Sequence, residues 1–305
     1  MRHMPRFGRV LSAMVTPFDE GGALDLDVAA ELARWLQAHG HDGIVVAGTT
    51  GEAPTLDDDE HLSLVAAVVE AVDIPVIAGT GGNDTRHSIY MTREAAALGV
   101  AGVLTVCPYY NRPPQSGIAA HFRAIAESTE LPVMLYDIPV RTGRKIATST
   151  ILELARDVPN IVALKDAAGN PGETTALISS APAGFEVYSG DDGLTLALLA
   201  AGAVGVVGVA THWTADDHQL LFDLWEKGDI AGARLVNSRL LESFAFETGD
   251  EAPNPIPTKA MMRHLGFAVG QARLPLGPAP DFVETRVPDV LANLERWRSA
   301  FPERP

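Results

Sequence analysis

Pro132-Val133-Met134-Leu135-Tyr136-Asp137-Ile138-Pro139 and Ile161-Val162-Ala163-Leu164-Lys165-Asp166, with a helical pattern over 148–157 between them, decide how this chain folds. Each stretch is a nearly continuous apolar run, the form taken by a strand buried on both faces of a parallel sheet. The amphipathic segment between them serves as the crossover that parallel strands require. The same beat extends in both directions, with further apolar runs at 10–16, 43–48, 75–80, 102–108, 185–190 and 203–210, eight in all. Helical patterns fall near 27–39, 57–71, 84–99, 116–129, 172–180, 191–201 and 214–228. Asp57, Asp84, Ser116, Thr148 and Asp191 stand where N-caps belong. Eight strand–helix units predict an α/β protein, a (β/α)8 TIM barrel. The alternative, an open doubly wound sheet, lacks its usual Gly-rich phosphate loop after the first strand. Residues 229–305 add helix near 230–247, 257–266 and 286–300 but begin no new strand repeat. The expected organisation is a catalytic barrel over 1–228 with a C-terminal helical extension over 229–305 packed on it.

Composition narrows the function. Of 305 residues, 23 are Lys or Arg and 39 are Asp or Glu, a formal charge of −16. That balance argues against a nucleic-acid or anionic-membrane surface, both of which need clustered positive charge. A few pocket arginines still suffice for a small anionic substrate. The longest apolar stretch, 194–210, is broken by Gly202, Gly205 and Gly208, so no membrane span is expected. Residues 1–8 carry no apolar core of the signal-peptide kind. A single cysteine, Cys107, rules out an internal disulfide framework and a multi-cysteine metal site. His212 and His218 form no ligand spacing, and no Gly-x-Ser-x-Gly elbow occurs. The expectation is a soluble cytoplasmic protein.

Barrel active sites lie at the C-terminal ends of the strands. Lys165 closes its strand, and it is one of only four lysines, at 145, 165, 227 and 259. A buried lysine, unlike an arginine, can become a neutral amine and condense with a ketone to a Schiff base. Taken alone, a strand-end lysine also reads as one that snorkels to water. Strand alternation puts Ala163 and Lys165 on one face, and Met134 and Tyr136 on one face of the preceding strand. If both faces point inward, a phenol stands beside an amine and can shuttle its protons. The turn Gly48-Thr49-Thr50-Gly51-Glu52 offers backbone N–H groups and two hydroxyls to a small carboxylate. Glu52 reads as a structural partner for nearby backbone N–H groups. Arg141 stands above the same mouth, where it can grip a second carboxylate. Cys107-Pro108-Tyr109-Tyr110-Asn111-Arg112-Pro113-Pro114 is a stiff aromatic loop suited to a pocket wall or a subunit contact. Asp191 and Asp192 read as helix caps.

Together these strand ends resemble the pyruvate-dependent class I aldolase family of dihydrodipicolinate synthase and N-acetylneuraminate lyase. The likeness runs from about Gly8 to Pro278. Its marks are Gly48 to Glu52, the Tyr-Tyr-Asn-Arg-Pro loop at 109–113, Leu135-Tyr136-Asp137-Ile138-Pro139 and Leu164-Lys165-Asp166. Arg141-Thr142-Gly143 and Asn254-Pro255-Ile256-Pro257-Thr258-Lys259 make it closer to the synthases than to the sugar lyases. The resemblance implies a lyase in which Lys165 forms a Schiff base with pyruvate and the resulting enamine attacks L-aspartate 4-semialdehyde, a step of lysine and diaminopimelate biosynthesis. It implies that Tyr136 moves the protons and that Thr49 and Tyr110 link it to solvent, Tyr110 reaching in from a neighbouring subunit. Thr50 and the Val207 backbone would hold the pyruvate carboxylate, and Arg141 that of the semialdehyde. No metal or organic cofactor is implied. The implied assembly is a homotetramer, a dimer of dimers. A 2-keto-3-deoxy sugar acid aldolase is the alternative within the family, and a non-catalytic binding barrel the alternative outside it.

Two positions beside the site depart from the family pattern: Asp137, where many relatives have Asn, and Gly208, where a serine is common. They bear on substrate preference. Relatives inhibited by lysine hold it with polar residues near the second and third strand ends. Here the matching positions include Ala53, Pro54, Asp58 and His87, while His61, Asn83 and Tyr109 are kept. Weak or absent lysine sensitivity follows.

Overall fold

Closure of the sheet follows from β1 (Val10–Ala13) pairing in parallel with both β2 (Gly43–Val46) and β8 (Gly205–Gly208). The computed structural model describes residues 4–300; residues 1–3 and 301–305, the outer ends of the two expected units, lie outside them. Between β2 and β8 the order is β3 (Val76–Gly79), β4 (Gly102–Val106), β5 (Val133–Asp137), β6 (Ile161–Asp166) and β7 (Glu186–Ser189). Crossovers are α1 (Leu26–Ala38), α2 (Asp58–Ala71), α3 (Thr85–Ala97), α4 (Gln115–Ala126), the single turn α5 (Pro139–Thr142), α6 (Thr148–Asp157), α7 (Pro171–Ser180) and α8 (Thr195–Ala201). The last strand leads into α9 (Thr211–Glu226). The chain is therefore a TIM barrel, with each strand nested inside its expected apolar run.

Alternation divides each strand between two cores. Leu11, Val45, Ile77, Leu104, Met134 and Ala163 fill the barrel interior. Ile44, Val46, Leu135 and Leu164 face outward onto helix residues such as Leu64, Phe122 and Leu154. Beyond the barrel lie α10 (Ile230–Glu247), α11 (Ile256–His264) and α12 (Asp281–Ala300), which share a separate apolar cluster with α9 built on Leu221, Leu240, Met261 and Val287. Among the described residues no helix is long and apolar enough to cross a membrane.

Asp57 and Asp84 cap α2 and α3 through their side chains as expected, and Asp57 forms a full capping box with Glu60. Ser116 and Thr148 do not cap. Pro114, with its fixed φ, already begins α4, so Ser116 lies inside it. Thr148 is the first residue of α6, whose entry is held instead by Gln115, its Oε1 accepting from the Ala147 N–H and the Thr150 hydroxyl at 2.9 Å each. The final helix starts five residues before the expected 286, at Asp281.

His212 and His218 on α9 stand near His41, which contacts Ser12 of β1. His41 Nδ1 lies 2.7 Å from the Leu36 carbonyl, which can only accept, so Nε2 accepts from the Ser12 hydroxyl at 2.7 Å. His212 donates from Nδ1 to the Val209 carbonyl and accepts the Val15 N–H at Nε2, 3.2 Å away. Both rings are thus built in as neutral imidazoles. Burial pushes His41 down to about 3 and His212 down to about 4, and His121, beside α3, down to about 4 as well. Because these folded values lie below the unfolded value, the stabilisation is complete above roughly pH 6.5 and is lost as pH falls toward 4. Each ring should cost about 2 kcal/mol at pH 5 relative to neutrality. Urea midpoints measured at pH 7 and pH 5 check this; equal midpoints would contradict it.

Candidate active site

Lys165 ends β6 in register with Tyr136 of β5 on one side and Tyr188 of β7 on the other. Ala163 and Met134 pair two residues earlier, so alternation carries Lys165 and Tyr136 to the barrel interior together. Both are 4% exposed, and Lys165 Nζ stands 4.3 Å from the centre of the Tyr136 ring. That ring face attracts an ammonium, and it brings the amine against the phenol. Lys145 and Lys259 are each paired with a carboxylate, whereas among the described residues none lies within ion-pair distance of Lys165. Its methylenes fill the space left by Gly190, where an added Cβ would lie 2.9 Å from Cγ and 3.0 Å from Cε.

Beside this pair opens a cleft of about 680 Å³, lined by Thr49, Tyr136, Tyr110, Arg141, Thr80 and Thr142 among others. Thr49, Tyr136 and Arg141 all line it, whereas Lys165 is absent from the lining. Arg141 is carried by α5, a single turn that no period in the sequence announces; it ends at Gly143, whose φ of +69° is one a side chain would strain. The Arg141 Nη2 donates to the Asn254 carbonyl at 3.2 Å. Thr50 does not line the cleft; it is 2% exposed, and its Oγ1 accepts from Asn254 Nδ2 at 2.8 Å. With that lone pair taken, its hydroxyl hydrogen is left to donate, which suits a carboxylate. Val207, in β8, is buried inside the barrel in the same cluster as Tyr136, and the β7 ladder ends at Ser189–Val206, one residue short of it. Tyr110, also on the cleft wall, is 90% exposed at the rim with a φ of +69°.

A sequence profile described as the dihydrodipicolinate synthetase family matches residues 6–293. The chain belongs to that family. It is 48% identical over 293 residues to the 4-hydroxy-tetrahydrodipicolinate synthase of Parasynechococcus marenigrum (strain WH8102), covering 95% of this chain and 96% of the relative. It is 48% identical over 292 residues to the synthase of Symbiobacterium thermophilum, covering 95% and 99%. Among solved structures it superposes on the dihydrodipicolinate synthase of Cyanidioschyzon merolae, solved with lysine bound, with a TM-score of 0.92 at 42% identity, covering 95% of this chain and 99% of that one. The Bacillus anthracis synthase gives 0.91 at 42% identity, with the same coverage.

The two departures of this family member resolve differently. Asp137 follows the inward Tyr136 and therefore points out of the barrel, where it accepts from the Ile146 N–H and pairs with Lys145 at 3.1 Å. Burial raises its pKa. Gly208 borders a carboxylate instead: Asp192 Oδ1 lies 2.5 Å from where a Cβ would stand, and a serine there would displace it. Asp191 caps the turn over 192–194 as expected, accepting from the Leu194 N–H. Asp192 does not cap; it is buried and accepts the Val209 N–H at 2.8 Å.

Glu52 has the structural role expected of it, by a stronger interaction than backbone contacts alone. It is 2% exposed, accepts the Arg273 N–H at 2.8 Å and pairs with Lys259 Nζ at 2.6 Å. Lys259 also donates to the Gln271 carbonyl and lies over the Phe18 ring, and burial brings it down to about 8 despite Glu52. The turn that carries Thr50 and Glu52 is thus fastened to α11 and the residues just before it, through Lys259 and Asn254. Sequence reasoning marked that segment as a family feature but did not see the anchor, because 204 residues separate Asn254 from Thr50. Lys259→Met strands a buried carboxylate and should cost about 3–5 kcal/mol, most of it restored by adding Glu52→Gln. Chemical unfolding of the two variants reads this, and a single variant as stable as the parent would contradict it.

Proposed function

We propose that Lys165 is the nucleophile through which this chain carries out the 4-hydroxy-tetrahydrodipicolinate synthase reaction, the condensation of pyruvate with L-aspartate 4-semialdehyde. The activity is that of a lyase of the class I aldolase type in lysine and diaminopimelate biosynthesis. The observation that carries the assignment of Lys165 is its setting: a buried amine with no carboxylate within ion-pair distance among the described residues, against the ring of a tyrosine that lines the cleft.

Each step then has a named group. Lys165 Nζ adds to the ketone of pyruvate, and loss of water leaves a protonated imine. A methyl proton departs to give the enamine, whose carbon attacks the aldehyde of the second substrate. Tyr136 takes up and returns the protons, with Thr49 beside it in the cleft as the next link to solvent. The amino group of the semialdehyde moiety displaces Lys165 from the imine carbon, which closes the ring and regenerates the free amine. Thr50, its hydroxyl aligned by Asn254, and the Val207 backbone hold the pyruvate carboxylate. Arg141, steadied by the Asn254 carbonyl, receives the carboxylate of the semialdehyde. Tyr110, exposed at the rim, completes the relay of a neighbouring subunit, in keeping with a homotetramer built as a dimer of dimers. A fully active monomer by light scattering would remove Tyr110 from the relay.

Borohydride reduction in the presence of labelled pyruvate should trap the label on Lys165, and Lys165→Ala should lose it; an adduct that survives the substitution places the chemistry on another lysine. Arg141→Ala should raise KM for the semialdehyde by about ten- to a hundredfold, the worth of one or two charged hydrogen bonds, with a smaller effect on pyruvate.

Lysine should inhibit weakly or not at all. Ala53 and Pro54 bring no polar side chain to the cleft wall, and His87 is engaged by Asp58 at 2.8 Å. Half-inhibition by submillimolar lysine in a steady-state assay would contradict this.

A further inference from the structure

Glu247 is the last residue of α10, 5% exposed, and no step above uses it. A carboxylate at a helix C-terminus faces the negative end of the helix dipole, and burial disfavours its charge further. Burial, followed by the neighbouring Asp192, raises its pKa well above the ordinary range. Asp192 lies within hydrogen-bond reach of it and is itself 2% exposed. Two carboxyl groups that close, out of water, cannot both ionise; one proton between them makes a hydrogen bond. Among the described residues Asp192 Oδ1 is buried and meets no hydrogen-bond donor: it sits against Gly208, and its nearest cationic candidate, His218 Nε2, is 3.9 Å away. His218 Nδ1 donates to the Thr214 carbonyl at 2.9 Å.

The pair lies near Lys165. Gly190 packs on the Lys165 methylenes, Asp192 follows two residues later, and a positive charge on Lys165 opposes the rise of the Glu247 pKa. The other carboxylates of the flanking strands are engaged elsewhere. Asp166 takes the Thr174 hydroxyl and the Ala168 N–H, Asp137 takes Lys145, and Glu186 takes the Arg6 N–H and the Tyr188 hydroxyl. We propose that Asp192 and Glu247 share one proton, and that the single negative charge left on the pair is the fixed counter-charge of the cation Lys165 becomes on condensing with a ketone. A buried iminium without such a charge is costly, whereas two full charges there would hold the free amine protonated and slow its attack. Asp192 and Glu247 are positioning residues in this scheme, acting through Lys165. The groups facing them are Asp191 on the turn after β7, His212 and His218 on α9, and Lys165 on β6.

The inference rests on Lys165 as the Schiff-base lysine, and the experiment separates the two. Pyruvate and borohydride must first label Lys165 in the parent protein; no label, or label elsewhere, removes the underlying reading. With that label in hand, Glu247→Gln, Asp192→Asn and the double amide are compared in the rate of trapping and in kcat/KM for pyruvate across pH. Each single amide leaves one carboxylate with a donor beside it, so each should lower the rate by only about threefold, and independent effects would then multiply to about tenfold. The double amide is nearly isosteric but uncharged. It should lose about fiftyfold or more and should move the acidic limb of the profile to lower pH, since a negative charge favouring the ammonium is gone. A double variant no worse than the product of the singles, or a single variant as impaired as the double, overturns the shared charge. Infrared spectra give a readout that does not need the double variant to fold. A neutral-acid carbonyl band in the parent should vanish in both single variants, and its persistence in either overturns the proposal.

Discussion

Closure of eight parallel strands is the constraint on which everything else in this molecule depends. Once β1 pairs with β8, every strand is buried on two faces, and alternate residues are committed to the interior or to the helix layer. Inside, the space is filled by aliphatic side chains along most of its depth and then, at the C-terminal end, by Tyr136 and Lys165. The register that pairs Met134 with Ala163 also pairs Tyr136 with Lys165. The aliphatic packing and the juxtaposition of phenol and amine are therefore set by one alignment, and a slip of one residue in either strand would turn its side chain out toward the helices.

The helices beyond the barrel are as much part of the site as the strands are. Asn254 orients Thr50 with its amide and Arg141 with its carbonyl, so two side chains from different βα loops share one anchor. Lys259 and the Arg273 N–H hold Glu52 below the same turn. Glu247 reaches the vicinity of Lys165 from the end of α10. Loops alone would leave these groups free to sample many rotamers; buried charge pairs and amide hydrogen bonds restrict them before substrate arrives.

Much of this was legible in the chain. The eight runs were readable because strands buried on both faces must be apolar throughout, and the crossovers because their apolar positions follow a helical period. The positions of Lys165 and Tyr136 side by side inside the barrel, and of Thr49 and Arg141 on the cleft wall, were readable because each stands at or just beyond the C-terminal end of a strand. Local signals failed where another residue took over their task. Gln115 supplied the acceptor expected from Thr148, and Pro114 began the helix expected to start at Ser116. Asp192 looked like a cap because it follows a strand, yet its neighbour Asp191 met that need and freed it for burial.

By itself the sequence determined the strand and helix periods and which side chains stand at the C-terminal ends of the strands. Those properties follow from the order of side chains along one segment. Tertiary structure alone decided that, among the described residues, no carboxylate lies within ion-pair distance of Lys165 while Lys145 and Lys259 are each given one. It alone brought Asn254 to Thr50 and Glu247 to Asp192. Those relations join residues dozens to hundreds of positions apart, and no local pattern encodes them, because burial and electrostatic pairing arise only when the closed barrel and its C-terminal helices pack against each other.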